Sequence, residues 1–147
     1  MEFLGVTAAF IVIIFFGNVF GYIGLPRDIL KLLSAWLLLA WLAFALTLIL
    51  GALTAIFEFV ERFVQILTYI FLPLSGAFFM VAILPPRLRP AILTLPFIHC
   101  FELLRSGYFG RFLPVFYNVP YVVAWNVVLT LLGLLLIQFV RSRIEVL

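Results

Sequence analysis

The 26 residues at 32–57 carry no charged side chain, and the stretch is bounded by Lys31 on one side and Glu58 on the other. A helix rises about 1.5 Å per residue, so such a run more than crosses the roughly 30 Å of hydrocarbon in a bilayer. Three more uncharged runs lie at 3–25, closed by Pro26-Arg27-Asp28, at 63–84, stopped by Pro85-Pro86, and at 121–140, opened by Pro120 and closed by Arg141 and Arg143. One run can be the core of a soluble domain, but four leave nothing to cover them. Charged residues make up only 10% of the 147, and 67% are hydrophobic, whereas a soluble chain is about a quarter charged. A soluble enzyme, a nucleic-acid binder and a disordered segment are excluded together. Inside lipid every backbone polar group needs an internal partner, which leaves helices for open-ended runs. The expected fold is an all-α integral membrane protein, a single domain over 1–147 with four transmembrane helices.

Smaller features add bounds. The net charge of +3 suits a protein beside anionic lipid. Cys100 is the single cysteine and His99 the single histidine, too few for a disulfide or a plausible metal site. Glu2 and the length of the first run are wrong for a cleavable signal peptide. In that run Gly17, Gly21 and Gly24 stand at i, i+4, i+7 beside Asn18. This spacing allows another helix to approach closely, as ordinary internal packing or as a dimer seam. Between the second and third runs, Glu58, Glu61, Arg62 and Gln65 stand at i, i+3, i+4, i+7. They form a polar stripe on an otherwise apolar helix, either lying along the interface or marking a solvated turn.

The segment 85–120 is largely apolar but is broken by Pro90 and Pro96 and capped by Gly107. Its longest unbroken piece, 97–106, would rise only about 15 Å and cannot cross. Two short helices that enter and leave by the same face, a re-entrant hairpin over 85–110, satisfy both constraints. On the second of them His99, Glu102 and Arg105 fall at i, i+3, i+6, on one side. Glu102 and Arg105 can pair, and His99 can reach Glu102. Ionisable groups at membrane depth are costly, so the cluster is either a structural clasp or the lining of a pathway. No nucleophile stands beside a base, and no GxxxxGK[ST] occurs, so neither catalysis nor ATP binding through a P-loop is expected.

Aromatic residues are dense from 97 to 121, with Phe97, Phe101, Tyr108 and Phe109 in the hairpin itself. They suit a membrane rim, and flat rings also suit a sugar polymer sliding past. The segment 85–120 sets Arg87, Arg89, Arg105 and Arg111 against Glu102, which favours an anionic cargo or lipid headgroups. Six of the nine basic residues fall on the hairpin side of the four-span topology, so a positive-inside count places the hairpin in the cytoplasm.

Several fixed features now coincide. Leu72-Pro73-Leu74-Ser75-Gly76-Ala77-Phe78-Phe79-Met80, Leu84-Pro85-Pro86, Arg89, Pro96, His99, Glu102, Arg105 and Gly107-Tyr108-Phe109-Gly110 resemble the permease subunits of ABC exporters for capsular polysaccharide and O-antigen. The resemblance is dense over the 39 residues 72–110. It implies a bacterial inner-membrane, multi-pass protein that pairs with a second permease copy and binds a separate cognate ATPase. That partner would carry ATP and Mg, with no cofactor in this chain, and would drive a lipid-linked anionic polysaccharide outward. The resemblance puts the re-entrant hairpin at the periplasmic channel exit, against the charge count, with both termini cytoplasmic. His99, Glu102 and Arg105 become the polar cluster of that exit. Arg87, Arg89, Phe97, Phe101, Tyr108, Phe109 and Arg111 become an aromatic and basic substrate path, and Glu58, Glu61, Arg62 and Gln65 face the ATPase. The family has six spans after an amphipathic helix, so four spans suggest a carboxy-terminal piece. Two other readings stand beside export: a non-transporting membrane remnant or assembly subunit, and a membrane enzyme on lipid-linked sugars using His99 and Glu102 as acid and base.

Overall fold

The uncharged run at 32–57 folds as one helix, α2 (Ile29–Ile56), in a computed structural model that describes residues 2–21, 24, 26–74, 76–112 and 114–144. Asp28 stands before it with extended backbone, and its carboxylate accepts from the Lys31 N–H at 3.4 Å. This N-cap satisfies one orphan donor of the first turn, and the leucines and alanines that follow are strong helix formers. Phe57 leaves the helical region at φ −131°, ψ 109°, and α3 (Glu58–Leu74) starts directly after it. Upstream lies α1 (Glu2–Val19), whose Phe10 ring stacks on Trp36 of α2 with centroids 5.2 Å apart. Downstream come a 3₁₀ turn at Val81–Ile83, the short helix α4 (Arg89–Ile92), α5 (Pro96–Phe109), a second 3₁₀ turn at Gly110–Phe112, and α6 (Val119–Ile144). The architecture is all-helical, with no strand among the described residues.

The seam between α2 and α6 sets the layout. Asn126 Nδ2 donates to the Leu38 carbonyl at 3.2 Å, and Trp41 Nε1 donates to Thr130 Oγ1 at 3.0 Å. A Cβ on Gly133 would lie 2.8 Å from Leu48 Cβ. Partners on the two helices rise in number together, so α2 and α6 run parallel. Small residues on the seam, Ala35, Ala45 and Ala52 of α2 with Gly133 of α6, let the backbones approach. Because the helices are parallel, the chain between them must return from the end of α2 to its beginning. The 17 residues of α3 supply about 25 Å of that return.

Two helical stretches are long and apolar enough to cross a membrane, Ile29–Ile56 and Val119–Ser142, with only 17% of each apolar window buried inside the chain. Their outer faces, Leu37, Phe44, Leu131 and Leu135 among them, are exposed as lipid-facing residues are. α1, Glu2–Val19, is shorter than either. The runs expected at 3–25 and 63–84 are therefore not continuous helices. α1 gives way to a turn at Gly21, whose φ of 72° is left-handed and whose N–H donates to the Asn18 carbonyl. Gly17, Gly21 and Gly24 thus do not share a helix face. α3 ends at Leu74, after Pro73 in its last turn, and Gly76 follows at φ 82°.

In the segment 85–110, Pro90 sits in the first turn of the four-residue α4 instead of breaking a helix, and the helix that Pro96 opens is longer than expected. α5 continues through Gly107 to Phe109, and Gly110, at φ 65°, is the residue that ends it. Gly107 is not a cap. A Cβ there would lie 2.7 Å from Leu32 N and 3.1 Å from the Asp28 carbonyl oxygen, so its bare backbone is what seats α5 on α2. The Asp28 N–H donates to the Gly107 carbonyl at 2.9 Å across that contact.

Candidate functional site

The parallel seam puts the beginnings of α2 and α6 at one end of the molecule, and the segment from Gly76 to Asn118 occupies that end. Its centre is Glu102, fully buried on α5. Oε1 accepts from the Val81 N–H at 3.2 Å and from Arg105 Nη1 at 3.0 Å, and Oε2 accepts from the Phe116 N–H at 3.3 Å. Three separate stretches of chain are tied to one carboxylate: the 3₁₀ turn, the helix itself and the approach to α6. Arg105, one turn on, keeps 14% of its side chain exposed and uses its other arm on the Gly76 and Ala77 carbonyls. The charge of the buried carboxylate is met by a fork that also closes the left-handed turn after α3.

His99 does not join this pair. Its Nε2 lies 2.7 Å from the Leu93 carbonyl and its Nδ1 accepts from the Asn118 N–H at 3.1 Å. A carbonyl only accepts, so the partners assign a neutral ring with the proton on Nε2. The ring also meets Tyr121 edge-on at 5.2 Å, and the Tyr121 hydroxyl donates to the Thr94 carbonyl at 2.8 Å. The sequence spacing put His99 and Glu102 on one side of the helix, and the structure does put them there. What separates their roles is that each is claimed by backbone groups from distant segments.

Arg89 acts in the same manner: Nε donates to the Leu84 carbonyl at 3.0 Å, Nη2 donates to the Ala82 carbonyl at 2.9 Å, and the guanidinium lies over the Phe116 ring at 5.5 Å. Glu102, Arg105, His99 and Arg89 together form a polar clasp on irregular backbone, which lipid would otherwise penalise. The remaining hairpin residues lie around it. Phe97 and Phe101 are half-buried on α5. The Tyr108 hydroxyl donates to the Gly24 carbonyl at 2.8 Å, and its ring meets the exposed Phe109 at 5.1 Å. Arg87 is exposed at the turn before α4. The side chain of Arg111 lies outside the described residues, as does Ser75 of the 72–80 stretch. At the opposite end of α2, Glu58, Glu61, Arg62 and Gln65 are all exposed on the first two turns of α3, and Glu61, Arg62 and Gln65 edge an open groove with Thr68 and Tyr69.

Sequence reasoning missed two features. Asn126 is a lone amide in an apolar run, and that signal marks it as a seam residue. Arg27 stacks its guanidinium on Phe112 at 4.2 Å, joining the start of α2 to the turn after α5, and no local spacing announces it.

The chain is 37% identical over 145 residues, 99% of its length, to the capsule polysaccharide export inner-membrane protein CtrC of Neisseria meningitidis serogroup B (strain ATCC BAA-335 / MC58). It is 38% identical over 125 residues, 85% of its length, to the capsule polysaccharide export inner-membrane protein BexB of Haemophilus influenzae. These matches cover 55% and 47% of the two proteins, so the chain spans about half the length of the curated relatives it matches. No protein-family model matches it.

Proposed function

The chain is a relative of inner-membrane proteins of capsule polysaccharide export, and from that premise we propose that it is the carboxy-terminal part of the permease subunit of an ATP-driven exporter for lipid-linked capsular polysaccharide. The observation that carries the reading is the match over 99% of the chain to a protein named for that export. In this reading the permease works as a homodimer, with ATP and Mg bound and hydrolysed on a separate cognate ATPase and no catalysis in the chain itself.

Four spans are proposed, the first and third built on α1 and α3 with the residues that follow them. The parallel pairing of α2 and α6 supports the third, because the chain must cross back between them. The segment 85–110 is then the re-entrant element at the periplasmic channel exit, with both termini cytoplasmic. His99, Glu102, Arg105 and Arg89 hold its shape, while exposed groups such as Arg87 and Phe109 are the ones free to meet an anionic, sugar-rich polymer. The exposed stripe Glu58, Glu61, Arg62 and Gln65 lies at the other end of α2, where an ATPase would dock.

The test is made in the cell that encodes the chain. Deleting its gene should remove polysaccharide from the cell surface and leave it inside. Arg87→Glu, an exposed change, should lower surface polysaccharide several-fold at unchanged membrane levels of the protein. Full surface polysaccharide after the deletion would overturn the proposal. It would favour a non-transporting membrane subunit, a reading that the half-length match also suits.

A further inference from the structure

A polar groove of about 710 Å³ opens beside the clasp, lined by Arg27, Asp28, Lys31, Ser106, Gly110 and Tyr117. Its donors are conspicuously unused. Ser106 is only 5% exposed, yet its hydroxyl makes no hydrogen bond among the described residues. Arg27 makes no hydrogen bond there either; its guanidinium face rests on Phe112, which leaves its N–H edge open. The Lys31 ammonium has one partner, Asp28 at 3.6 Å, and both side chains remain over 40% exposed. The Asp28 carboxylate is itself committed to the α2 N-cap. The groove therefore presents a guanidinium, an ammonium and a hydroxyl against a single carboxylate.

Its position narrows the ligand. It sits at the start of α2, where the charged 27–31 stretch meets the apolar run, which is the depth of phospholipid headgroups. Around the same turns Ile29, Leu30 and Leu33 are 61%, 78% and 55% exposed, as residues that face lipid are, so the groove opens at the edge of an apolar surface. A phosphate held at that depth belongs to a lipid headgroup, whereas a free ion would have to leave water to reach it. We propose that this groove is a binding site for the phosphate headgroup of an anionic membrane phospholipid, seated on Arg27, Lys31 and Ser106. The proposal requires only that the chain lies in a membrane, so it stands or falls apart from export.

The full chain is purified in detergent, and phosphatidylglycerol or phosphatidylcholine is titrated while bound lipid is counted by native mass spectrometry. Phosphatidylglycerol should bind at least about tenfold tighter, the scale of one or two charge-assisted hydrogen bonds. Arg27→Gln with Lys31→Gln should abolish that preference, and Ser106→Ala should weaken it several-fold. Arg141→Gln, at the far end of α6, should leave it intact. The charge-keeping pair Arg27→Lys with Lys31→Arg should retain the preference, which separates lost charge from lost fold. Equal binding of the two lipids would overturn the proposal, as would a preference that survives the double glutamine variant. Displacement of the lipid by equimolar inorganic phosphate would overturn the assignment to a lipid.

Discussion

At the residue scale the most consequential side chain is the Glu102 carboxylate, because it is fully buried and accepts from Val81, Phe116 and Arg105 together. Removing only the arginine leaves a buried charge with two amide donors in place of a cation. Arg105→Ala should therefore destabilise the fold by about 3–5 kcal/mol, read from denaturant unfolding in detergent. Neutralising the carboxylate as well, Glu102→Gln with Arg105→Ala, should recover part of that loss, since the amide oxygen still accepts from backbone N–H and no charge is stranded. If the double variant were no more stable than Arg105→Ala, the carboxylate's amide bonds would outweigh the pair. The pairing of these residues was legible from their i, i+3 spacing. The partners of His99 were not, because Leu93 and Asn118 reach it only once the chain has turned back on itself.

At the element scale, glycines and prolines decide where helices stop and where they touch. The sequence marked α2 and α6 well, since length and apolarity are local properties, and Asp28 and Pro120 stand where helix starts need them. The ends of α1 and α3 were less legible: apolarity continues past both, but the backbone turns at Gly21 and after Leu74. Gly107 shows the same difficulty in reverse. Read locally it caps α5, yet its place against Leu32 and Asp28 makes it a contact inside the helix, and that reading requires the partner helix. Gly107→Ala should force α5 away from backbone atoms of α2 and cost about 1–3 kcal/mol, an overpacking penalty. Gly5→Ala in α1, with nothing within 4 Å of the added carbon, should be neutral or stabilising by up to about 1 kcal/mol. Comparable losses from both, in matched thermal unfolding curves, would remove the close contact as the explanation.

At the scale of the whole molecule, the parallel α2–α6 pair predicts which positions share a side of the membrane, and labelling decides between the orientation proposed here and the opposite one that the charge count favours. Cysteines at Arg27 and Arg87 should react with an impermeant maleimide from one face of the membrane, and cysteines at Glu61 and Arg141 from the other. In the proposed orientation, the first pair should be labelled in intact spheroplasts and the second pair only after lysis. The native Cys100, only 1% exposed, should stay silent in the folded protein. All four positions reacting from one face would exclude the crossing assigned to the third span.

The same pair bears on how the protein is made. Asn126 meets Leu38 across 88 residues of sequence. At roughly 5–20 residues per second of synthesis, α2 leaves the ribosome on the order of ten seconds before α6 exists to complete the seam. During that wait the close-packing face of Ala35, Ala45 and Ala52 is open to whatever helix lies nearest in the lipid. The order of translation, and the company α2 keeps in that interval, thus belong to the assembly of this fold as much as the finished contacts do.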